Sequence, residues 1–349
     1  MCIAIAVFTL CVVLKTQNNP VTRHILANLV TRSYADVTSA PSSSMKQGTH
    51  YAMTTPSASE TTTTTTTSSY LISKGTDICS PLRGYNNTLT LVAVLSATAR
   101  YEHRSAVRGT WGGVLSSMPG FRVLFMLGRP SNDTDQNRIV EEDAEHDDIV
   151  QGNFFDTYQN LTLKSVMMLR WVHRFCPNAK FVLKIDDDVL LNVWDFAVTL
   201  CHLSYTAPRL TIWGKLRSSS RPSRKKKGRY AKWYVPKWMY PNETYPDYVN
   251  GPAYLISGDS VPLLLGTAST VPYFFIEDVY ITGMVAVKAG VRLENDSGYA
   301  SSRKRGIRPC QKPRVVASHG WSPRDLRLAW TEMAGKVNRR RCRSLGLKV

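Results

Sequence analysis

Three consecutive carboxylates, Asp186-Asp187-Asp188, close the apolar run Phe181-Val182-Leu183-Lys184-Ile185. A run of that length reads as a buried strand, and in an open α/β sheet ligands bind beyond the carboxyl ends of the strands. Three like charges there repel one another. A divalent cation offsets that repulsion by taking carboxylate oxygens while keeping water and substrate phosphate oxygens as its other ligands. Asp186 and Asp188 are therefore the first candidates for metal ligands. An Asp triplet taken alone is more often a solvated acidic turn, but the strand before it and a helix after it reverse that preference. In the helix Val193, Phe196, Ala197 and Leu200 fall at i, i+3, i+4 and i+7, with Asn192 as its N-cap.

Carboxylates follow an apolar run a second time in Phe274-Phe275-Ile276-Glu277-Asp278-Val279-Tyr280, where a helix starts that ends near Gly290. Read locally, Asp278 is an N-cap. Between the two acidic places lies a basic loop, Arg217 to Lys232, which holds the run Arg224 to Lys227. It leads into an aromatic tract of Trp233, Tyr234, Trp238, Tyr240, Tyr245 and Tyr248. Such rings stack on bases or cover the apolar faces of pyranoses. The basic run reads equally as a solvated loop or as a contact for an acidic acceptor.

The elements that must position these residues alternate. Leu91 to Leu95 and Phe121 to Leu127 read as buried strands. Met168, Trp171, Val172 and Phe175 repeat at helical spacing, and Pro177 closes that helix. After the aromatics come a strand entered at Gly251 to Ser257 and a short helix at Val261 to Leu265. A last helix has Ser322 at its N-cap and Pro323 in its first turn, with Leu326, Ala329, Trp330 and Met333 facing the core. Strands alternating with helices predict an α/β fold, a mainly parallel sheet covered on both faces.

Lys and Arg total 44 against 26 Asp and Glu among 349 residues, a formal charge of +18. That excess suits an anionic partner. Residues 1–14 are almost wholly apolar and read as a signal anchor or signal peptide. Lys15 and Arg23 follow that run, whereas a type II anchor has its positive charge before it; a missing or wrongly assigned N-terminus would explain this. Residues 15–78, with the homopolymer Thr61 to Thr67, read as a Ser/Thr-rich stem. Residues 79–349 form the folded, lumenal part. Asn-x-Ser/Thr acceptors at Asn86, Asn132, Asn160, Asn242 and Asn295 fit an exported chain and tell against nucleic acid as the partner. Outside the apolar segment the cysteines are Cys79, Cys176, Cys201, Cys310 and Cys342. In an oxidising compartment they predict two disulfides and one leftover thiol.

Several stretches keep one order from about Leu91 to Cys342. They are Arg104-Ser105-Ala106-Val107-Arg108-Gly109-Thr110-Trp111-Gly112, Asp156 to Lys164, the Asp triplet, Lys232-Trp233-Tyr234, Tyr245-Pro246, Glu277-Asp278-Val279-Tyr280 and the tail His319 to Trp330. Together they resemble the β-1,3-glycosyltransferases of the galactosyltransferase and N-acetylglucosaminyltransferase group. The resemblance implies a GT-A type fold with a Rossmann-like sheet and a UDP-sugar donor. It also implies inversion at the anomeric carbon, forming a β linkage to the 3-hydroxyl of an acceptor glycan on a glycoprotein, glycolipid or proteoglycan. Mn²⁺ would be held by Asp186 and Asp188, with His319 as the distant ligand. Asp278 would be the catalytic base, with Glu277 the alternative. Arg104 and Arg108 are donor candidates because a guanidinium grips phosphate or a uracil carbonyl; Lys164 and Asp187 join them. Trp233, Tyr234, Gly251 and Glu277 are assigned to the acceptor. Similar proteins are Golgi type II membrane proteins that use galactose, N-acetylglucosamine or N-acetylgalactosamine donors, and UDP-galactose is favoured here. Two other classes compete: a non-catalytic sugar-binding protein using the aromatic tract, and a metal-dependent phosphohydrolase. One departure stands out. Val249 occupies a position where many members have Cys, and no Cys occurs in the helix after Asp278, which fits the joint loss of one disulfide.

Overall fold

The central strands are apolar along their whole length because both of their faces are covered. In Leu89–Leu95, Leu91, Ala93 and Leu95 enter one core, while Val92 and Val94 enter another on the opposite side. Strand geometry points successive side chains to opposite faces, so this run needs helices on both. The computed structural model describes residues 70–79, 89–206, 208–228, 230–338, 340 and 342. The signal segment, most of the stem and Asn86 lie outside them.

The strands are β1 (Tyr70–Ile72), β2 (Leu89–Leu95), β3 (Phe121–Arg129), β4 (Ile149–Phe155), β5 (Ala179–Asp186), β6 (Val189–Leu191), β7 (Thr211–Arg217), β8 (Tyr248–Ser257), β9 (Arg292–Asn295), β10 (Tyr299–Ala300) and β11 (Ala317–His319). Eight of them form one sheet in the order β1-β4-β3-β2-β5-β8-β7-β9. Its pairings leave β1 and β8 reversed and the other six pointing one way. The expected mainly parallel α/β sheet is therefore present, with β8 inserted antiparallel beside the strand that carries the Asp triplet.

The helices are α1 (Tyr101–Val107), α2 (Asp133–His146), α3 (Leu161–Phe175), α4 (Val193–Thr206), α5 (Val261–Ala268), α6 (Val279–Val285, π-helical, running on to Lys288) and α7 (Pro323–Gly335). Side chains of α3, α5 and α6 build the core that includes Leu91, and those of α1, α4 and α7 build the core that includes Val92. Helix α2 has no apolar stripe to announce it. Only Ile139 and Glu142 are buried along its length.

Some expectations need correction. The folded part begins before Cys79, because Tyr70–Ile72 pairs with β4 and Lys74 reaches Asp143 and Asp147. A three-residue strand next to a Ser/Thr tract is too short to show periodicity. Cys79–Cys176 and Cys310–Cys342 are the two disulfides, but Cys201 is not a leftover thiol, since it too has a partner. Val249, where the resemblance leads one to expect a cysteine, is tied to α6 by Thr282. Its hydroxyl accepts from the Val249 N–H at 2.8 Å and stands 3.1 Å from the Val249 carbonyl oxygen. Of the glycosylation acceptors, Asn132, Asn242 and Asn295 are exposed.

Candidate active site

The Asp triplet leaves the carboxyl end of β5 at the floor of a cleft of about 1200 Å³. That exceeds the space one small ligand fills and suits two substrates side by side. Asp186, Asp187, Asp188, Glu277, Asp278 and His319 all line it, as do Gly251 and Trp233.

His319 arrives through a second, three-stranded sheet, β10-β11-β6, in which β11 runs antiparallel to β6 and sets His319 opposite Val189. The turn after it is clamped by the Asp188 carbonyl oxygen, which accepts from both Gly320 and Trp321 N–H at 3.0 Å. Gly320 has φ +96°, a conformation that favours glycine. The result is that one ligand atom each from Asp186, Asp188 and His319 lies within 4.8 Å of the others. His319 Nε2 is 3.3 Å from Asp188 Oδ1, yet that buried oxygen has no hydrogen-bond partner. A buried acceptor left orphaned between a second carboxylate and an imidazole fits a cation with oxygen and nitrogen ligands, and Mn²⁺ accepts both. Burial works to raise the Asp188 carboxyl, but His319, Arg100 and His103 more than offset it and hold the group below its ordinary value. Asp186 is pushed up by burial and by the neighbouring Asp188 charge, against the pull of Lys184.

Lys184, two residues before Asp186 on the same face of β5, is fully buried among these groups. Its ammonium donates to Asp186 Oδ1 and to the Gly251 carbonyl oxygen, each at 2.6 Å, and stands 3.7 Å from Glu277 Oε2. Burial would lower this lysine, but Asp186 and Glu277 hold it protonated. One cation thus fixes the metal-side carboxylate relative to the strand and helix on the far side of the cleft. The sequence carried a signal for it: a lysine inside a buried apolar strand must be paired.

Asp278 is anchored at two points. Its Oδ1 accepts from the Val279 N–H and its Oδ2 from the Gly251 N–H, both at 2.9 Å. A side chain at Gly251 would put its Cβ 3.1 Å from that same Oδ2, a tight contact that would press on the Asp278 carboxylate. The N-cap reading of Asp278 holds, but its charge is not favoured on balance. Burial, with the charge of Glu277, outweighs the two N–H donors and raises the carboxyl to about 6. A base in that range is deprotonated at neutral pH and stronger than an ordinary carboxylate. Transfer activity should therefore rise with pH along a limb with an apparent pKa of about 6, measurable as kcat/KM between about pH 5 and 8. A rate that stays flat below pH 6 would remove Asp278 as the titrating base.

Glu277 faces inward. Its Oε1 accepts from Ser165 at 2.7 Å and from the Tyr254 hydroxyl at 2.6 Å. Asp187 is buried under the cleft, where Ser96 donates to it at 2.6 Å and Arg100 lies 3.0 Å away. Burial raises this carboxyl to about 7 against the pull of Arg100 and Ser96.

The geometry places two donor candidates, Arg104 and Arg108, and one acceptor candidate, Tyr234, outside the cleft. Arg104 does not line the cleft. It is buried, gripping Glu142 through Nε and Nη2 and donating to the carbonyl oxygens of Ala97 and Thr98. Arg108 grips Asp148 and Glu142 outside the cleft. Lys164 touches the floor, but its ammonium is fully engaged by the Ser96 carbonyl oxygen and both oxygens of Asp156. Tyr234 lies outside the cleft, with Lys226 Nζ over its ring at 5.5 Å. A short motif shows that cations are required without showing which way they turn. Arg100, which sequence reasoning passed over, is an arginine that reaches the Asp triplet, 3.0 Å from Asp187 Oδ1 and 3.7 Å from Asp188 Oδ2.

Arg104 is thus a positioning residue for the Ser96–Thr98 loop. Arg104→Leu should lower unfolding free energy by about 3–5 kcal/mol, the usual cost of breaking a buried ion pair, as read by chemical denaturation. A loss below about 1 kcal/mol would instead resemble an exposed pair.

The cleft at the carboxyl ends of these strands thus brings together an acidic floor, three side chains able to hold a cation and an anchored carboxylate. Residues 102–297 match the galactosyltransferase family profile, and the chain belongs to that family. It is 34% identical over 244 residues to beta-1,3-galactosyltransferase 5 of Pan troglodytes, covering 69% of this chain and 80% of that one. It is 31% identical to the Mus musculus UDP-GalNAc:beta-1,3-N-acetylgalactosaminyltransferase 1, over 71% of this chain and 75% of that one. It is 30% identical to a Danio rerio lactosylceramide 1,3-N-acetyl-beta-D-glucosaminyltransferase, over 76% and 70%. Among solved structures, a glycosyltransferase involved in glycosylation of the PBCV-1 major capsid aligns with 70% of this chain and 98% of its own at 9% identity and TM-score 0.37, too distant to argue from. The chain is a β-1,3-glycosyltransferase, taking a nucleotide-sugar donor and a glycan acceptor.

Proposed function

We propose that this enzyme transfers galactose from UDP-galactose to the 3-hydroxyl of an acceptor glycan with inversion, using Mn²⁺ held by Asp186, Asp188 and His319. The observation that carries the reading is the meeting of those three ligand atoms in one cleft with the doubly anchored Asp278. When bound, Mn²⁺ supplies a Lewis acid for the negative charge of the departing diphosphate. The chain's own residues do the rest. Asp278 takes the proton from the acceptor hydroxyl as the glycosidic bond forms, and its anchors keep Oδ1 and Oδ2 from turning away. Lys184 keeps Asp186 and the Gly251 strand in register across the cleft. Arg100 sits beside Asp187 and Asp188, where it adds positive charge near the diphosphate. Trp233, which also lines the cleft and carries Lys232 over its ring at 4.4 Å, is the candidate contact for a sugar.

Galactose is favoured by the family profile and by the galactosyltransferase relatives, although relatives that use GalNAc and GlcNAc are nearly as similar. A Golgi type II location is supported by the apolar residues 1–14 and by two disulfides that need an oxidising compartment. No helix among the described residues is long and apolar enough to cross a membrane.

The test is to incubate the enzyme with UDP-galactose, UDP-GlcNAc or UDP-GalNAc, with and without Mn²⁺, on a panel of acceptor sugars, and to determine product linkage. Galactose incorporated β1→3 with acceptor-dependent UDP release is expected. UDP released without an acceptor would point to hydrolysis, and binding with no release to a lectin.

A further inference from the structure

The basic loop between β7 and the aromatic tract is a built wall of the cleft. Arg224 turns inward and staples it, donating to the carbonyl oxygens of Val235, Tyr240 and Asn242 at 2.8, 2.8 and 3.0 Å. The Ser223 and Ser220 carbonyl oxygens accept from the Val235 and Tyr245 N–H groups, each at 2.8 Å. These bonds fix Ser220, Ser223 and Arg224 at the base of the loop before any ligand arrives, which lowers the ordering cost of binding.

What the staples leave outside is charge. Arg221, Lys225, Lys226 and Lys227 are all exposed, and none forms an ion pair with a carboxylate among the described residues. Glu243 feels Arg221, but it is already paired with Lys237 at 3.1 Å. Arg221 and Lys225 line the cleft together with Lys232, which lies over the Trp233 ring at 4.4 Å. Two carboxylates of the floor, by contrast, already have protein cations, Lys184 on Asp186 and Arg100 on Asp187. No ion pair joins the wall to the floor among the described residues. The wall lines the same cleft as Trp233 and Asp278.

From this we propose that the acceptor is an acidic glycan, one carrying a carboxylate or sulfate on a sugar next to the one that receives galactose, and that Arg221 and Lys225 at the cleft bind that anion while Lys226 and Lys227, just outside it, add to the local positive potential. The proposal rests on the glycosyltransferase reading of the same cleft. A neutral ring stacks on Trp233 while the neighbouring anion meets the loop. Because the four cations are exposed, each pair is weak and screened by salt, and together they should change acceptor affinity on the order of 10-fold.

The full-length enzyme should be assayed with UDP-galactose and Mn²⁺ on two matched series of oligosaccharides, one neutral and one bearing a uronate or sulfate on the penultimate sugar. The acidic series should show a KM roughly 10-fold lower at low ionic strength, an advantage that salt removes. A quadruple variant, Arg221→Gln with Lys225→Gln, Lys226→Gln and Lys227→Gln, should lose that preference while its KM for neutral acceptors and for UDP-galactose stays within a few fold. Equal KM values for the two series in the wild-type enzyme would overturn the proposal and leave the transferase reading standing. A variant that weakens donor binding with both series would assign the loop to the diphosphate, which also overturns it. Variant-sensitive binding to anionic phospholipid vesicles, with no acidic-acceptor preference, would assign the loop to a membrane surface instead. No transfer to any acceptor would count against the glycosyltransferase reading itself.

Discussion

Replacing Asp278 by Asn should slow sugar transfer by ~10²–10⁴-fold, the range associated with losing a positioned general base, while UDP affinity stays within a few fold. An acceptor hydroxyl is a poor nucleophile until its proton leaves, and an amide cannot take that proton. The two anchors make this variant less innocent than an N-cap swap. The carboxylate accepts from Val279 N–H with one oxygen and from Gly251 N–H with the other. Asparagine can accept only with its single oxygen, so its amide nitrogen must face one N–H donor. That leaves a donor unsatisfied at a cost of about 1–3 kcal/mol, so the melting temperature should be measured beside the rate. Reduced stability with intact UDP binding and lost transfer is the expected pattern. Near wild-type transfer would reduce Asp278 to a cap. Glu277 would then be a poor substitute, because Ser165, Tyr254 and Lys184 already hold its two oxygens.

Asp188→Ala should abolish metal-dependent UDP binding, the second large effect. Asp188 offers the orphaned Oδ1 beside His319, and its loss leaves only one carboxylate and one imidazole in the group. A divalent cation bound mainly by oxygen needs more anionic ligands than that. The fold should tolerate the change, since the main-chain carbonyl of Asp188, not its side chain, clamps Gly320 and Trp321. Calorimetry with UDP, with and without Mn²⁺, separates the outcomes. An unchanged metal-dependent affinity would remove Asp188 from the site. A variant that binds UDP equally with and without metal, at the level of the metal-free wild type, is the expected result.

Much of the fold and part of the site could be read from the chain. The runs around Leu91, Phe121 and Phe181 have strand length and no polar face, and sheets covered on both sides produce that pattern. The helix caps at Asn192 and Ser322 were visible because capping is a local hydrogen bond, with Asn192 Oδ1 accepting from Asp195 and Ser322 Oγ from Asp325. Asp186 and Asp188 stood out because a strand before the triplet and a helix after it favour a site over a solvated turn, whereas Asp278 read locally as an N-cap and drew its further role from the family resemblance. Helix α2 was not visible, since the side of it that meets the sheet buries a single aliphatic residue, Ile139, with Glu142 paired to two arginines.

Arginine and lysine roles were the least legible. Arg104, Arg108 and Lys164 look like phosphate grips in a list of motifs, yet each is turned toward a buried carboxylate whose position depends on a different strand or helix. A long flexible cation reaches several directions from one backbone position, so its sequence neighbours do not fix its target. Carboxylates on short stems have no such latitude. By itself the sequence determined the α/β class, the acidic end of β5 and the capped carboxylate at α6, because strand periodicity, like-charge repulsion and capping are all local. Only the tertiary structure decided that His319, carried by a three-residue strand, meets Asp188, that Lys184 ties Asp186 to Gly251, and that Arg100 rather than Arg104 faces the cleft. Those contacts join segments far apart in the chain, and pairing across such distances is set by how the sheets close and not by the order of residues.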